Sequence, residues 1–146
     1  MIYFEDTGSI IDAPIDFVWR YLLSEHHAPA HAGSARNFEL TETVGSTALV
    51  SADRLVNGKW AQFVTKSTDY PPLCIVNEEG EGDFAGSRFV LVYRPKGERT
   101  QVDAFGYIES KAGDAKLARA TFLKLLDQAY QEDVLAIGKL RGRSEA

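Results

Sequence analysis

From Asp114 to about Leu140 the chain runs without a proline, and its apolar residues recur at helical spacing. At 100° per residue, Ala118, Phe122, Leu125, Leu126, Ala129, Ala136, Ile137 and Leu140 fall on one stripe. Lys116, Lys124, Asp127, Gln128 and Gln131 lie off it. A helix of this length, about 40 Å at 1.5 Å per residue, needs a broad apolar partner along its whole stripe. The preceding segment supplies one. From Ala35 to about Lys111 the period is two, and strands are predicted near 36–44, 47–56, 59–68, 73–79, 86–94 and 100–110. Gly45-Ser46, Asn57-Gly58, Pro71-Pro72, Gly80 to Ala85 and Pro95-Lys96-Gly97 separate them.

Upstream, Ile2 to Ile11 reads as a strand, and Pro14 with Asp16 opens a short helix carrying Ile15, Val18, Trp19 and Leu22 to about Leu23. Ser24 is placed to cap a second short helical piece through the histidines, limited by Pro29 and Gly33. The element order is therefore strand, two short helices, six strands, long helix. Two short helices cannot cover the concave face of an antiparallel sheet, so the terminal helix must do so. The class is α+β, and at 146 residues a single domain is expected over the whole chain.

Asn57-Gly58 fixes one register, because both residues tolerate the positive φ of a type I′ hairpin. Val56 then pairs with Lys59, Arg54 with Ala61, Ala52 with Phe63, and Val50 with Thr65. That face is apolar away from the turn and is expected to point inward. Its Ala48, Ala52 and Ala61 are small, which leaves room for a ligand.

With this order in place, the chain resembles the START-like, or SRPBCC, helix-grip superfamily, which includes polyketide cyclases, lipid-transfer domains and plant pollen allergens. The matching residues are Ile11-Asp12-Ala13-Pro14-Ile15-Asp16-Phe17-Val18-Trp19 at the first helix. Tyr70-Pro71-Pro72 before the fifth strand and Gly97-Glu98-Arg99-Thr100-Gln101-Val102 leading into the last strand also look like the family. The resemblance covers essentially the whole chain. It implies a curved antiparallel sheet wrapped around the long helix, and a cavity between them entered near the two short helices. Proteins of this kind mostly bind lipids, sterols, polyketides or other hydrophobic molecules, and some act on them, so the fold alone does not choose a substrate.

Composition removes several classes of partner. The net charge is −5, and the one basic cluster is Lys139, Arg141 and Arg143, so nucleic acid is not expected as a partner. The apolar runs are too short to cross a bilayer, so no integral membrane segment is expected. Glu5 and Asp6 stand where a signal peptide would need positive charge and then an apolar stretch. Cys74 is the single cysteine, which fits a reducing compartment; a cytoplasmic location is expected. Oligomeric state is left open.

Several residues bear on chemistry. His27 and His31 are four apart, a spacing at which metal ligands share a helical face. No further group of His or Cys completes a set and Pro29 interrupts the helix between them, so His26, His27 and His31 are expected to be exposed and no metal is expected. Asp133 falls inside the apolar stripe; it is expected to be solvated where the helix projects past the sheet, the alternative being a partnered or protonated carboxylate. Arg54 has the inward parity but lies near a hairpin tip, so it either reaches solvent or anchors a ligand's carboxylate or carbonyl. Phe89, Leu91 and Tyr93 alternate with charged neighbours and should face inward, where Tyr93 either packs or offers its hydroxyl. In the last strand two faces compete for the interior, Val102, Ala104, Gly106 and Ile108 against Asp103, Phe105, Tyr107 and Glu109; the charges argue for the first set, where Ala104 and Gly106 would admit the helix closely. Cys74 has no histidine–acid partnership that would make it a nucleophile.

The expected function is binding or transport of a small hydrophobic ligand, without a cofactor. The expected ligand-binding residues are Val50, Ala52, Arg54, Phe63, Phe89, Leu91, Tyr93, Phe122, Leu126, Ala129 and Asp133. Catalytic residues are not assigned. One alternative is a cyclase or aromatase using Arg54, Tyr93 or Asp133, provided that at least two of them converge. Another is a protein-interaction module.

Overall fold

The hairpin at Asn57-Gly58 closes as its residues dictate, with φ of 50° and 79°. In the computed structural model, which describes residues 1–145, the register around it is the expected one from Val56–Lys59 through Val50–Thr65. The strands are β1 (Ile2–Ile11), β2 (Ala35–Val44), β3 (Thr47–Val56), β4 (Lys59–Tyr70), β5 (Cys74–Glu81), β6 (Arg88–Lys96) and β7 (Arg99–Ile108). They form one antiparallel sheet in the order β1-β7-β6-β5-β4-β3-β2, so the first strand closes against the last.

Helices α1 (Ile15–Leu22) and α2 (His27–Ala30) follow β1, and α3 (Ala115–Glu145) ends the chain. Asp114 caps α3, its carboxylate accepting the Leu117 N–H at 3.1 Å. The apolar stripe then lies against the sheet, with Ala118, Phe122 and Ile137 buried. The result is the helix-grip architecture. Trp19 of α1 packs edge-on against Tyr93 at 5.3 Å and donates its indole N–H to the Pro72 carbonyl at 3.0 Å. Those two contacts tie α1 to the sheet and to the Tyr70-Pro71-Pro72 turn. Among the described residues, no helix is long and apolar enough to cross a membrane.

Three local expectations need correction. Ser24 does not cap α2; it donates to the Tyr21 carbonyl at 2.7 Å and closes the turn after α1, and α2 starts at His27. Pro29 does not interrupt that helix. It sits in the first turn, where its absent N–H would have had no intrahelical partner. Gly106 leaves room for β6 rather than for the helix, because a Cβ there would fall against the Arg88 carbonyl and 2.6 Å from the Phe89 Cα. The inward set of β7 is otherwise as expected, with Ala104 and Ile108 buried and Phe105 and Tyr107 exposed. Asp103 is buried on the opposite face. Burial alone would raise its pKa, but the Gly8 N–H, Gln101 and Arg94 outweigh that and hold it below the usual carboxylate range.

A cavity between sheet and helix with a histidine end

A cavity of about 260 Å³ lies between the sheet and α3. Phe63 of β4, Phe89 and Leu91 of β6, and Phe122, Leu125, Leu126 and Ala129 of α3 make its apolar walls. His31, Ser34, Ala35 and Phe38 close one end, and Phe38 is 42 % exposed, which marks the mouth. A second chamber of about 80 Å³ adjoins it, lined by Tyr93, Val102, Ala104, Tyr130 and Asp133 among others. Leu91, Leu126 and Ala129 line both, so these three side chains divide one interior space into two.

The structure brings nine of the eleven expected residues to these walls. Arg54, Phe63, Phe89, Leu91, Phe122, Leu126 and Ala129 face the larger chamber, and Tyr93 and Asp133 the smaller. Val50 and Ala52 line neither, although Ala52 is buried. Nor do Ala48 and Ala61; the open space is bounded by aromatic and leucine side chains instead of by the alanines of the first hairpin.

Arg54 does not reach into solvent. Its side chain is 16 % exposed, its guanidinium carbon lies 4.2 Å from the Phe63 ring centre, and its Nη1 donates to Glu79 Oε1 at 2.7 Å. Glu79 is 3 % exposed at the side chain. Burial raises its pKa, and the charge and hydrogen bond of Arg54 work against that rise. The Arg54 Nε is buried and has no hydrogen-bond partner among the described residues. That Nε–H is shielded from the open space, while the guanidinium as a whole belongs to the cavity wall with its charge already balanced by Glu79. Sequence reading missed Glu79. On β5 both faces carry polar residues, Asn77 and Glu79 on one and Glu78 on the other, so alternation gave no inward set.

The end of the cavity at His31 and Ser34 is polar. Helix α3 passes over α2, and Asp133 Oδ1 sits 3.1 Å from His31 Nε2 and 3.5 Å from His27 Nε2. The Tyr21 hydroxyl donates to the same oxygen at 2.5 Å. Glu132 Oε1 meets His31 Nδ1 at 2.9 Å and accepts from the Ser34 hydroxyl at 2.7 Å. The expectation of exposed histidines and a solvated Asp133 is overturned: the side chains of His31 and Asp133 are 14 % and 17 % exposed. Of the three histidines only His26 is exposed. The reason is geometric, since α1 and α2 fold back over the part of α3 that was expected to project beyond the sheet. Burial lowers the pKa of His27 against the pull of Asp133. Burial also acts on His31, but there the hydrogen bonds and charges of Asp133 and Glu132 win and raise it. Tyr21 and Tyr93 are pushed up by burial first and then by the carboxylates, so both hydroxyls remain donors.

A scan against protein-family models finds no match, and a search of curated proteins finds none. Solved structures do match. A Thermus thermophilus protein superposes with a TM-score of 0.79 at 17% identity, over 95% of this chain and 97% of that one. The Streptomyces aromatase/cyclase Zhui gives a TM-score of 0.75 at 17% identity, over 97% and 94%. A START superfamily protein from Mycobacterium smegmatis gives 0.73 at 14% identity, over 94% and 98%. At these identities the likeness concerns the fold, and by it this chain has the START-like, helix-grip fold.

Proposed function

We propose that the chain binds one small, largely apolar molecule carrying a neutral oxygen, held between the sheet and α3 with that oxygen on the Arg54 guanidinium. The observation that carries this reading is an apolar cavity with the charge-balanced Arg54 guanidinium in its wall. Glu79 balances the guanidinium, so a second carboxylate gains little there, whereas a ketone or phenol oxygen accepts from the guanidinium without adding charge. A dry cavity of about 150 Å³ accommodates benzene, so about 260 Å³ fits a molecule of roughly two fused rings. The likeness in fold to an aromatase/cyclase is compatible with an aromatic or polyketide-like ligand.

Fluorescence titration with N-phenyl-1-naphthylamine tests the cavity. The expected result is saturable one-to-one binding that Ala129→Phe abolishes and Ala129→Leu weakens, with the fold intact by circular dichroism. Binding that both variants leave unchanged would place the probe elsewhere and reject the reading.

A second reading, catalysis on a carbonyl compound of the cyclase or aromatase kind, draws support from Tyr93 and Asp133 lining one chamber. Its test is deuterium exchange into the α-carbon of 1-tetralone. Exchange above the buffer rate that Tyr93→Phe and Asp133→Asn both suppress supports it, and exchange at the buffer rate rejects it.

A further inference from the structure

We infer that His27, His31 and Asp133 form a binding site for a divalent transition-metal ion at the edge of the cavity. The three ligand-type atoms lie within 4.8 Å of one another. Two of the separations are 3.1 Å and 3.5 Å. Metal bonds of about 2.0–2.1 Å in a tetrahedral arrangement set donors about 3.3 Å apart, so the side chains need little movement to close on an ion. One carboxylate and two imidazoles are a donor set for zinc, iron, cobalt or nickel rather than for calcium or magnesium.

The surroundings of the three ligands point the same way. Glu132 Oε1 accepts the hydrogen of His31 Nδ1, so an ion would take the place of the hydrogen that Nε2 directs at Asp133. Glu132 is itself held by the Ser34 hydroxyl at 2.7 Å and the Gln128 amide at 3.2 Å. A carboxylate behind a histidine is the outer support that metal-bound histidines have. Charge adds a further reason. Glu132 and Asp133 are adjacent, largely buried carboxylates, and among the described residues their ion-pair partners are His27 and His31. Two negative charges with two imidazoles match a dication closely. Among the described residues, neither carboxylate has a lysine or arginine within ion-pair distance.

Three protein ligands leave a coordination position open. His31 lines the larger chamber and Asp133 the smaller, so a ligand in either chamber lies beside the site. The inference does not rest on the organic-ligand reading, and its test needs no organic molecule.

Full-length protein stripped with a chelator is titrated with zinc alone by calorimetry, and with cobalt alone by visible absorption. The expected result is saturation at one equivalent, with cobalt bands of a four-coordinate or five-coordinate site. Asp133→Asn and His27→Ala should each weaken zinc binding more than about 100-fold, and Glu132→Gln about 10–100-fold. His26→Ala and Cys74→Ser should leave it unchanged. His27 is at the rim of the cluster, 33 % exposed, so its removal tests the site even if Asp133→Asn disturbs the fold. Absence of stoichiometric binding, or binding that survives both His27→Ala and Glu132→Gln, overturns the inference.

Discussion

The same helix crosses two chemically opposite surroundings within three turns. At Phe122 it meets Phe4, Phe84 and Phe89 edge to face, with ring centres 5.0–5.2 Å apart. At Asp133 it meets Tyr21, His27 and His31, all directed at one carboxylate oxygen. The aromatic end stabilises the fold by removing apolar area from water and by tight packing. At the histidine end each buried polar group must be matched by hydrogen bonds merely to offset its desolvation, so that end adds little net stability. A chain that only needed to fold would have filled it with leucine. The contrast assigns support to one end and chemistry to the other, with Arg54 and Glu79 set between the two kinds of surface.

Three substitutions sharpen that contrast, all read by urea denaturation. Phe122→Ala removes the ring at the centre of the aromatic end and is expected to cost about 4 kcal/mol. A loss below about 1 kcal/mol would mean that this end does not carry the core. Arg54→Met strands the Glu79 carboxylate and should cost about 3 kcal/mol at pH 7. Burial already sets the folded pKa of Glu79 above its unfolded value, so its contribution to stability is present at acid pH and lost as pH rises through the folded value. Removing Arg54 raises that folded value further. The deficit is therefore largest at neutral pH and shrinks as pH falls and Glu79 takes up a proton. The double variant Arg54→Met with Glu79→Leu should recover to within about 1 kcal/mol of the parent. A double variant as unstable as the single one would contradict a charge-based cause. Tyr21→Phe removes one hydrogen bond to Asp133 and should cost only about 1.5 kcal/mol. A cost matching that of Phe122→Ala would erase the distinction between the two ends.

How much of this was legible in the sequence follows from what each signal encodes. Period and turn chemistry encode local geometry, so Asn57-Gly58, the stripe from Ala118 to Leu140 and the element order led to the fold. Parity on a strand encodes which side a residue faces, and it placed Arg54, Phe63, Phe89 and Leu91 correctly on the concave side. It says nothing of how far along a curved sheet the helix reaches. Val50 and Ala52 share the parity of Arg54 yet line neither chamber, Ala52 being buried beside Phe63, its partner across the hairpin. The histidine end was hidden more deeply. Tyr21 and His31 precede Glu132 and Asp133 by about a hundred residues of chain, and only the docking of α1 and α2 on α3 joins them. Asp133 in an apolar stripe and the four-residue spacing of His27 and His31 were the local signs, and neither showed that the two met.

The most direct test of the central claim is a ¹H–¹⁵N spectrum of the arginine Nε–H groups during titration with a bicyclic ketone such as 1-tetralone. The account predicts that the Arg54 Nε–H resonance moves saturably and with one-to-one stoichiometry, together with the amides of Phe63 and Ala129. A titration in which the protein binds the ketone while the Arg54 resonance stays fixed, or in which no resonance moves at all, would contradict it.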